Sequence, residues 1–297
     1  EMVSCDWSSD VCSSDLRRPH NMQITNKFNL PESIVNAIRN DPYTSGPCDI
    51  SVTRLISPPR KVALERQHFK DLEEDASDRV WSLFGQAMHV VLERAGQNVI
   101  TEARYSIERQ GWVLSGALDH FDAITGLLSD YKVTSCYSVK NGSRSEWIAQ
   151  MNILATILRE HGYIVNRLQI IVILRDWSKS QAQRSSDYPT QPVVTIEIPL
   201  WSEEKCEEYI DERIRLHQAA RDKLPECSAE ERWQTANVFA LMKEGRKTAV
   251  KLFESEDEAE AACKAAGDKH HLVFRPGKSI RCESYCPAAP FCEQYQR

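Results

Sequence analysis

Between residues 99 and 138 apolar positions recur at every second residue, and that period constrains the middle of the chain more than any other feature. It predicts strands near 99–108, 111–120 and 127–137, separated by Gly111 and Gly126. In a strand, residues two apart point to one side, so Asp130 and Lys132 share a face and Tyr131 is turned away. A hairpin brings Asp119 alongside them. A bare Asp-x-Lys is ordinarily a surface ion pair. With a second carboxylate converging on it, the pair becomes a candidate site for a divalent cation, because two carboxylates at one point repel unless a cation lies between them.

The flanking segments carry the helical period. Residues 78–95 place Val80, Trp81, Phe84, Met88, Val91 and Leu92 at helical spacing, with Asp78 as the expected cap. Gly85 and His89, four apart, share a face of that helix, and the glycine is expected to let a neighbouring element approach closely. A helix over 145–161 carries Gln150 and Leu154 one turn apart; strands 167–175 and 193–200 and a charged helix over 202–224 follow. Helix, three strands, helix and strand in this order predict an α/β domain over 78–224, with a mixed central sheet flanked by helices. Residues 22–77 form a helical and basic lead-in, in which Arg54, Arg60 and Lys61 are either a solvated connecting helix or a basic arch for a phosphate backbone. Residues 225–297 change character. A hairpin signal at Glu244-Gly245-Arg246, a helix over 256–266 and a strand over 271–274 predict a small α+β appendage.

Residues 6–16, DWSSDVCSSDL, coincide with the in-frame translation of a common sequencing-adapter oligonucleotide. Residues 1–21 are therefore expected to be an assembly artefact, with Met22 as the natural start. The polar N-terminus predicts no signal peptide, and the longest apolar run, 168–174, is too short to span a bilayer, so no membrane association and a bacterial cytoplasmic location are expected. The net charge of −6 does not exclude nucleic acid, since a metal site and a local basic groove can bind phosphate within an acidic protein. Gly245-Arg246-Lys247-Thr248 lacks the upstream glycine of a phosphate loop, and no Gly-x-Ser-x-Gly occurs, so neither a motor nor a serine hydrolase is expected.

The ordered set Gly85-x-x-x-His89, Gly116-x-x-Asp119, Asp130-Tyr131-Lys132 and Gln150 resembles the PD-(D/E)XK nuclease superfamily, in particular its RecB-like exonuclease branch of phage and CRISPR-adaptation exonucleases. The resemblance implies a restriction-endonuclease-like core. It makes His89, Asp119, Asp130 and the Tyr131 carbonyl ligands of Mg²⁺ or Mn²⁺, Lys132 the catalytic lysine, and Gln150 a substrate-placing residue. Such an ion would polarise the scissile phosphate and favour ionisation of water. Glu102 is an auxiliary candidate on the first strand. Leu154 departs from the pattern, which usually has a tyrosine there.

Cys282-x3-Cys286-x5-Cys292 lies among prolines that bar regular structure, and clustered thiols without a signal peptide suggest a soft-ligand metal site needing a fourth ligand. The RecB-like branch often holds a [4Fe–4S] cluster on such a set, and this favours iron–sulfur over Zn²⁺. Where relatives carry the fourth cysteine, this chain has Pro58. Cys227 or Cys48 can replace it; Cys227 is favoured because it begins the C-terminal segment. The expected function is metal-dependent hydrolysis of DNA, by an exonuclease rather than a sequence-specific cutter, in phage or prophage recombination, repair or processing. The alternatives are a non-catalytic DNA-binding or assembly module of the same fold, or the nuclease subunit of a larger helicase–nuclease or spacer-acquisition complex.

Overall fold

The computed structural model describes residues 23–41, 46–94, 99–140 and 142–297. The expected assembly artefact at 1–21 and the expected start at Met22 lie outside them. The chain divides into two units, one ending at Leu224 and the other spanning Pro225–Arg297.

The first unit opens with β1 (Gln23–Thr25), α1 (Glu32–Arg39), β2 (Ile50–Ser51), α2 (Val52–Leu55), α3 (Pro59–Gln67), β3 (Glu73–Asp75) and α4 (Ala76–Glu93). Asp75, not Asp78, caps α4, its carboxylate accepting from the amide of Ser77 at 3.0 Å. The same carboxylate accepts from the Lys27 amide at 2.7 Å and the Thr25 hydroxyl at 2.8 Å. These donors, Lys27 first, hold Asp75 well below the usual carboxylate range.

The core continues with β4 (Ile100–Arg109), β5 (Trp112–Asp122), β6 (Leu127–Thr134), α5 (Ser145–Glu160), β7 (Arg167–Leu174), α6 (Lys179–Ala182), β8 (Val193–Ile198) and α7 (Glu203–Ala219). Six of its strands form one sheet in the order β2-β5-β6-β7-β8, with β4 paired to β5. The β2–β5 and β6–β7 pairs are parallel and the others antiparallel, so the unit is α/β with a mixed central sheet flanked by helices. The third strand ends at Thr134 rather than 137, because a 3₁₀ turn, Cys136–Val139, takes over.

The apolar run of β7 alternates outward and buried side chains, with Leu168, Ile170, Val172 and Leu174 in the core. They pack with the buried face of α5, which includes Met151, Ile153, Leu154, Ile157 and Leu158. Gly116 lets α5 approach β5: a Cβ there would stand 2.4 Å from Leu154 Cδ2 and 3.0 Å from Val52 Cγ2. Leu154, where the family pattern has tyrosine, is therefore a core residue, 4% exposed.

The second unit holds β9 (Val238–Lys243), β10 (Lys251–Phe253), α8 (Glu256–Ala266), β11 (His270–Arg275), α9 (Ile280–Ser284) and α10 (Glu293–Gln296). Its strands form an antiparallel sheet in the order β10-β9-β11.

Candidate metal centre

The hairpin β4–β5 turns through Gln110 and Gly111, both at positive φ (50° and 72°), as a two-residue type I′ turn requires. A two-residue turn fixes the register rigidly. Ile100 pairs with Phe121, Thr101 with His120 and Ala103 with Leu118, so Glu102 falls opposite Asp119. In the next hairpin His120 pairs with Ser129, which puts Asp130 at the following position opposite Asp119. Glu102, Asp119 and Asp130 thus occupy one row across three neighbouring strands. Like charges set opposite one another destabilise a sheet.

The sheet is irregular along this row. Glu102 adopts φ 47°, a left-handed conformation that costs a non-glycine residue on the order of 1 kcal/mol. Ladder pairing of β5 with β6 covers 120–122 and stops at Asp119. The buried parity of β5 also switches across Asp119, from Leu114 and Leu118 to Phe121. Where the ladder opens, the Tyr131 amide donates to Asp119 Oδ2 at 2.7 Å. Tyr131 thus offers Asp119 its N–H, while its own strand register is with Ile171 of β7.

α4 carries His89 over this opening. Its Nδ1 lies 3.3 Å from Glu102 Oε1 and 3.4 Å from Asp119 Oδ1. Ligand-capable atoms of His89, Glu102 and Asp119 all lie within 4.8 Å of one another. Hydrogen bonds to Asp119 and then Glu102 raise the imidazole to about 10, so a proton on His89 balances part of the carboxylate charge.

Asp130 is engaged differently from the expected ligand role. It is 3% exposed, its Oδ1 accepts from Gln150 Nε2 at 2.8 Å, and its Oδ2 is ion-paired with Lys132 Nζ. Burial first, with the nearby Asp119 charge, raises Asp130 to about 6 despite Lys132. Burial alone would lower the Lys132 pKa, but the charges of Asp130 and Asp119 outweigh it and hold the ammonium above its ordinary value. The set that converges is therefore His89, Glu102 and Asp119, rather than His89, Asp119 and Asp130. Beside it Asp130 is ion-paired with Lys132 and accepts the Gln150 hydrogen bond. Glu102, only auxiliary in the sequence reading, could have been placed by its position: it mirrors Asp119 about the Gln110–Gly111 turn. Two carboxylates and an imidazole facing one point are the oxygen-rich donor set that a hard divalent cation takes.

Other expected site residues lie elsewhere. Arg60 is 6% exposed and donates to the Leu224 carbonyl at 3.5 Å, so it ties α3 to the end of the unit instead of facing a phosphate backbone. Lys61 is paired with Glu65 at 2.9 Å. Arg54 lies half-buried on α2. Gly85 does not admit a neighbouring element, since a Cβ there would meet nothing within 4 Å among the described residues.

In the second unit Cys227 feels the charges of Cys292, Cys282 and Cys286, and burial first of all pushes its thiol up to about 12. The Gln294 side chain joins both ends of this unit, accepting from the Cys227 amide at 2.8 Å and donating to the Cys227 carbonyl at 2.9 Å. Cys48 is buried in the first unit, just before β2. Among the described residues no three of these thiols form a set with ligand atoms all within 4.8 Å of one another.

No family model and no curated protein matches this chain. A solved structure titled SSO0001 is similar to it, with 21% sequence identity, a TM-score of 0.39, and coverage of 56% of this chain and 75% of that one. A likeness this slight bears on neither fold nor function.

Proposed function

We propose that the first unit has a restriction-endonuclease-like core and is a divalent-metal-dependent deoxyribonuclease of the PD-(D/E)XK type, acting as an exonuclease. The observation that carries this reading is the convergence of His89, Glu102 and Asp119 within 4.8 Å, directly beside the Lys132–Asp130 pair. In the reaction a water oxygen bonds to phosphorus as the bond from phosphorus to a sugar oxygen breaks. Glu102, Asp119 and His89 would hold Mg²⁺ or Mn²⁺, which supplies Lewis acidity towards the phosphate and favours ionisation of water. Lys132 would orient water or stabilise charge developing on the phosphate. Asp130 fixes the Lys132 ammonium, and Gln150 fixes Asp130, so Gln150 acts by positioning.

The second unit would hold a [4Fe–4S] cluster, or Zn²⁺, on Cys227, Cys282, Cys286 and Cys292. Family resemblance favours the cluster, and Cys227, in the same unit as Cys282, Cys286 and Cys292 and sensitive to their charges, is preferred to Cys48 as the fourth ligand. DNA is the substrate, within a bacterial cell and in company with recombination or helicase proteins. The test is Mg²⁺-dependent degradation of linear DNA by wild type, Asp119→Ala and Lys132→Ala. The reading predicts loss of at least about a hundredfold in each variant. Wild-type rates in both would sink it.

A further inference from the structure

α4 does more than deliver His89. Trp81, Gly85 and His89 recur at intervals of four along one stripe of the helix. Trp81 is 51% exposed, and a buried-core role does not account for so much open indole surface. Phe84, also exposed, meets it edge-on at 6.4 Å between ring centroids. The Arg175 guanidinium lies over the Trp81 ring, its central carbon 4.4 Å from the ring centroid. Arg175 directly follows β7, and its amide donates to the Thr134 carbonyl at the end of β6. The Trp81 end of α4 therefore lies over the C-terminal ends of β6 and β7, and the His89 end over the carboxylate row. Between them Gly85 leaves open space.

We propose that the Trp81–Arg175 stack is a platform for one base of single-stranded DNA whose scissile phosphate lies at the carboxylate row. This inference rests on the nuclease reading and adds a site that positions the strand. Eight residues of helix separate Trp81 from His89, about 12 Å at the ~1.5 Å rise per residue. An aromatic face accepts any base, but only one that is unpaired, because a duplex hides its base faces by stacking. The Arg175 guanidinium beside the ring adds a positive charge that a phosphate oxygen can meet. A cation and an aromatic ring on an exposed stripe that runs into the metal centre are complementary to an anionic strand of stackable bases.

The experiment is equilibrium binding of a fluorescein-labelled oligothymidylate, and of a blunt duplex of equal length, to the full chain in EDTA. It uses wild type, Trp81→Ala, Trp81→Phe, Arg175→Ala and the exposed-turn control Ile124→Ala, with circular dichroism to establish folding. Trp81→Ala is expected to weaken oligothymidylate binding about tenfold, within the range that base stacking on an aromatic side chain supplies. Trp81→Phe is expected to restore most of it. Arg175→Ala should weaken binding and reduce the salt slope by about 0.7, the loss of one phosphate contact on a single strand. Duplex binding should change less than twofold in each. If Trp81→Ala is folded and binds oligothymidylate within twofold of wild type, the platform is overturned, even if wild type degrades DNA with Mg²⁺. If Trp81-dependent binding is found but no degradation occurs, the platform stands and the nuclease reading falls.

Discussion

His217 is buried on α7, and its Nε2–H donates to the Leu55 carbonyl at 3.0 Å. Burial first, then the nearby Arg213 and Arg66 charges, lowers its pKa to about 4. The unfolded chain takes up a proton near the ordinary ~6.5 while the folded one does not, so stability is lost as pH falls from there towards 4 and is unaffected above it. His217→Gln, which keeps a donor without the titration, is expected to flatten that part of the urea-midpoint profile; an unchanged profile would contradict the burial argument. Asp75 works on the acid side in the same direction. Its carboxylate is held down by donors from Lys27, Ser77 and Thr25, so its contribution is present above the usual carboxylate pKa and is lost as pH falls through the lowered value. Asp75→Asn should lower the midpoint at pH 7, and the gap to wild type should narrow in acid. Both residues are indistinct in sequence, since a lone histidine on a charged helix and one aspartate among several reveal their partners only after folding.

At the level of elements, most boundaries were legible because hydrophobic period is a local property. α5, β7 and α8 fall within a residue or so of where their patterns place them. What the period could not show is the row Glu102–Asp119–Asp130, since membership of a row depends on register between strands. The alternation even misleads there, because the buried parity of β5 switches at Asp119. The Gln110–Gly111 turn was the available signal. The Gly116–Leu154 contact was likewise invisible as packing, although both residues stood out in the motif. Gly116→Ala is expected to destabilise the fold by about 1–3 kcal/mol through overpacking. In a urea double-mutant cycle with Leu154→Ala, the pair should cost less than the sum of the single changes, because the smaller residue at 154 makes room for the new methyl. Additive costs would remove the close-approach explanation for this glycine.

Across the whole molecule, two units carry two different donor sets: carboxylates and imidazole in the first, thiols in the second. Their chemistry predicts hard oxygen-loving cations at one and soft metal at the other. Anaerobically purified protein is expected to be brown and to contain about four irons per chain, as a cubane cluster requires. Cys227→Ser should lose the visible absorbance, whereas Cys48→Ser should keep it. A colourless protein with one zinc would replace the cluster by the alternative metal, and colour that survives Cys227→Ser would remove Cys227 from the ligand set. The central claim, however, is that Glu102, Asp119 and His89 form a divalent-cation site. Calorimetric titration of Mn²⁺ into cysteine-intact wild type, Glu102→Gln and Asp119→Asn tests it most directly. Binding in wild type, weakened at least about tenfold in each variant while Ile124→Ala binds normally, is the predicted result; Mn²⁺ affinity unchanged in both site variants would contradict the account.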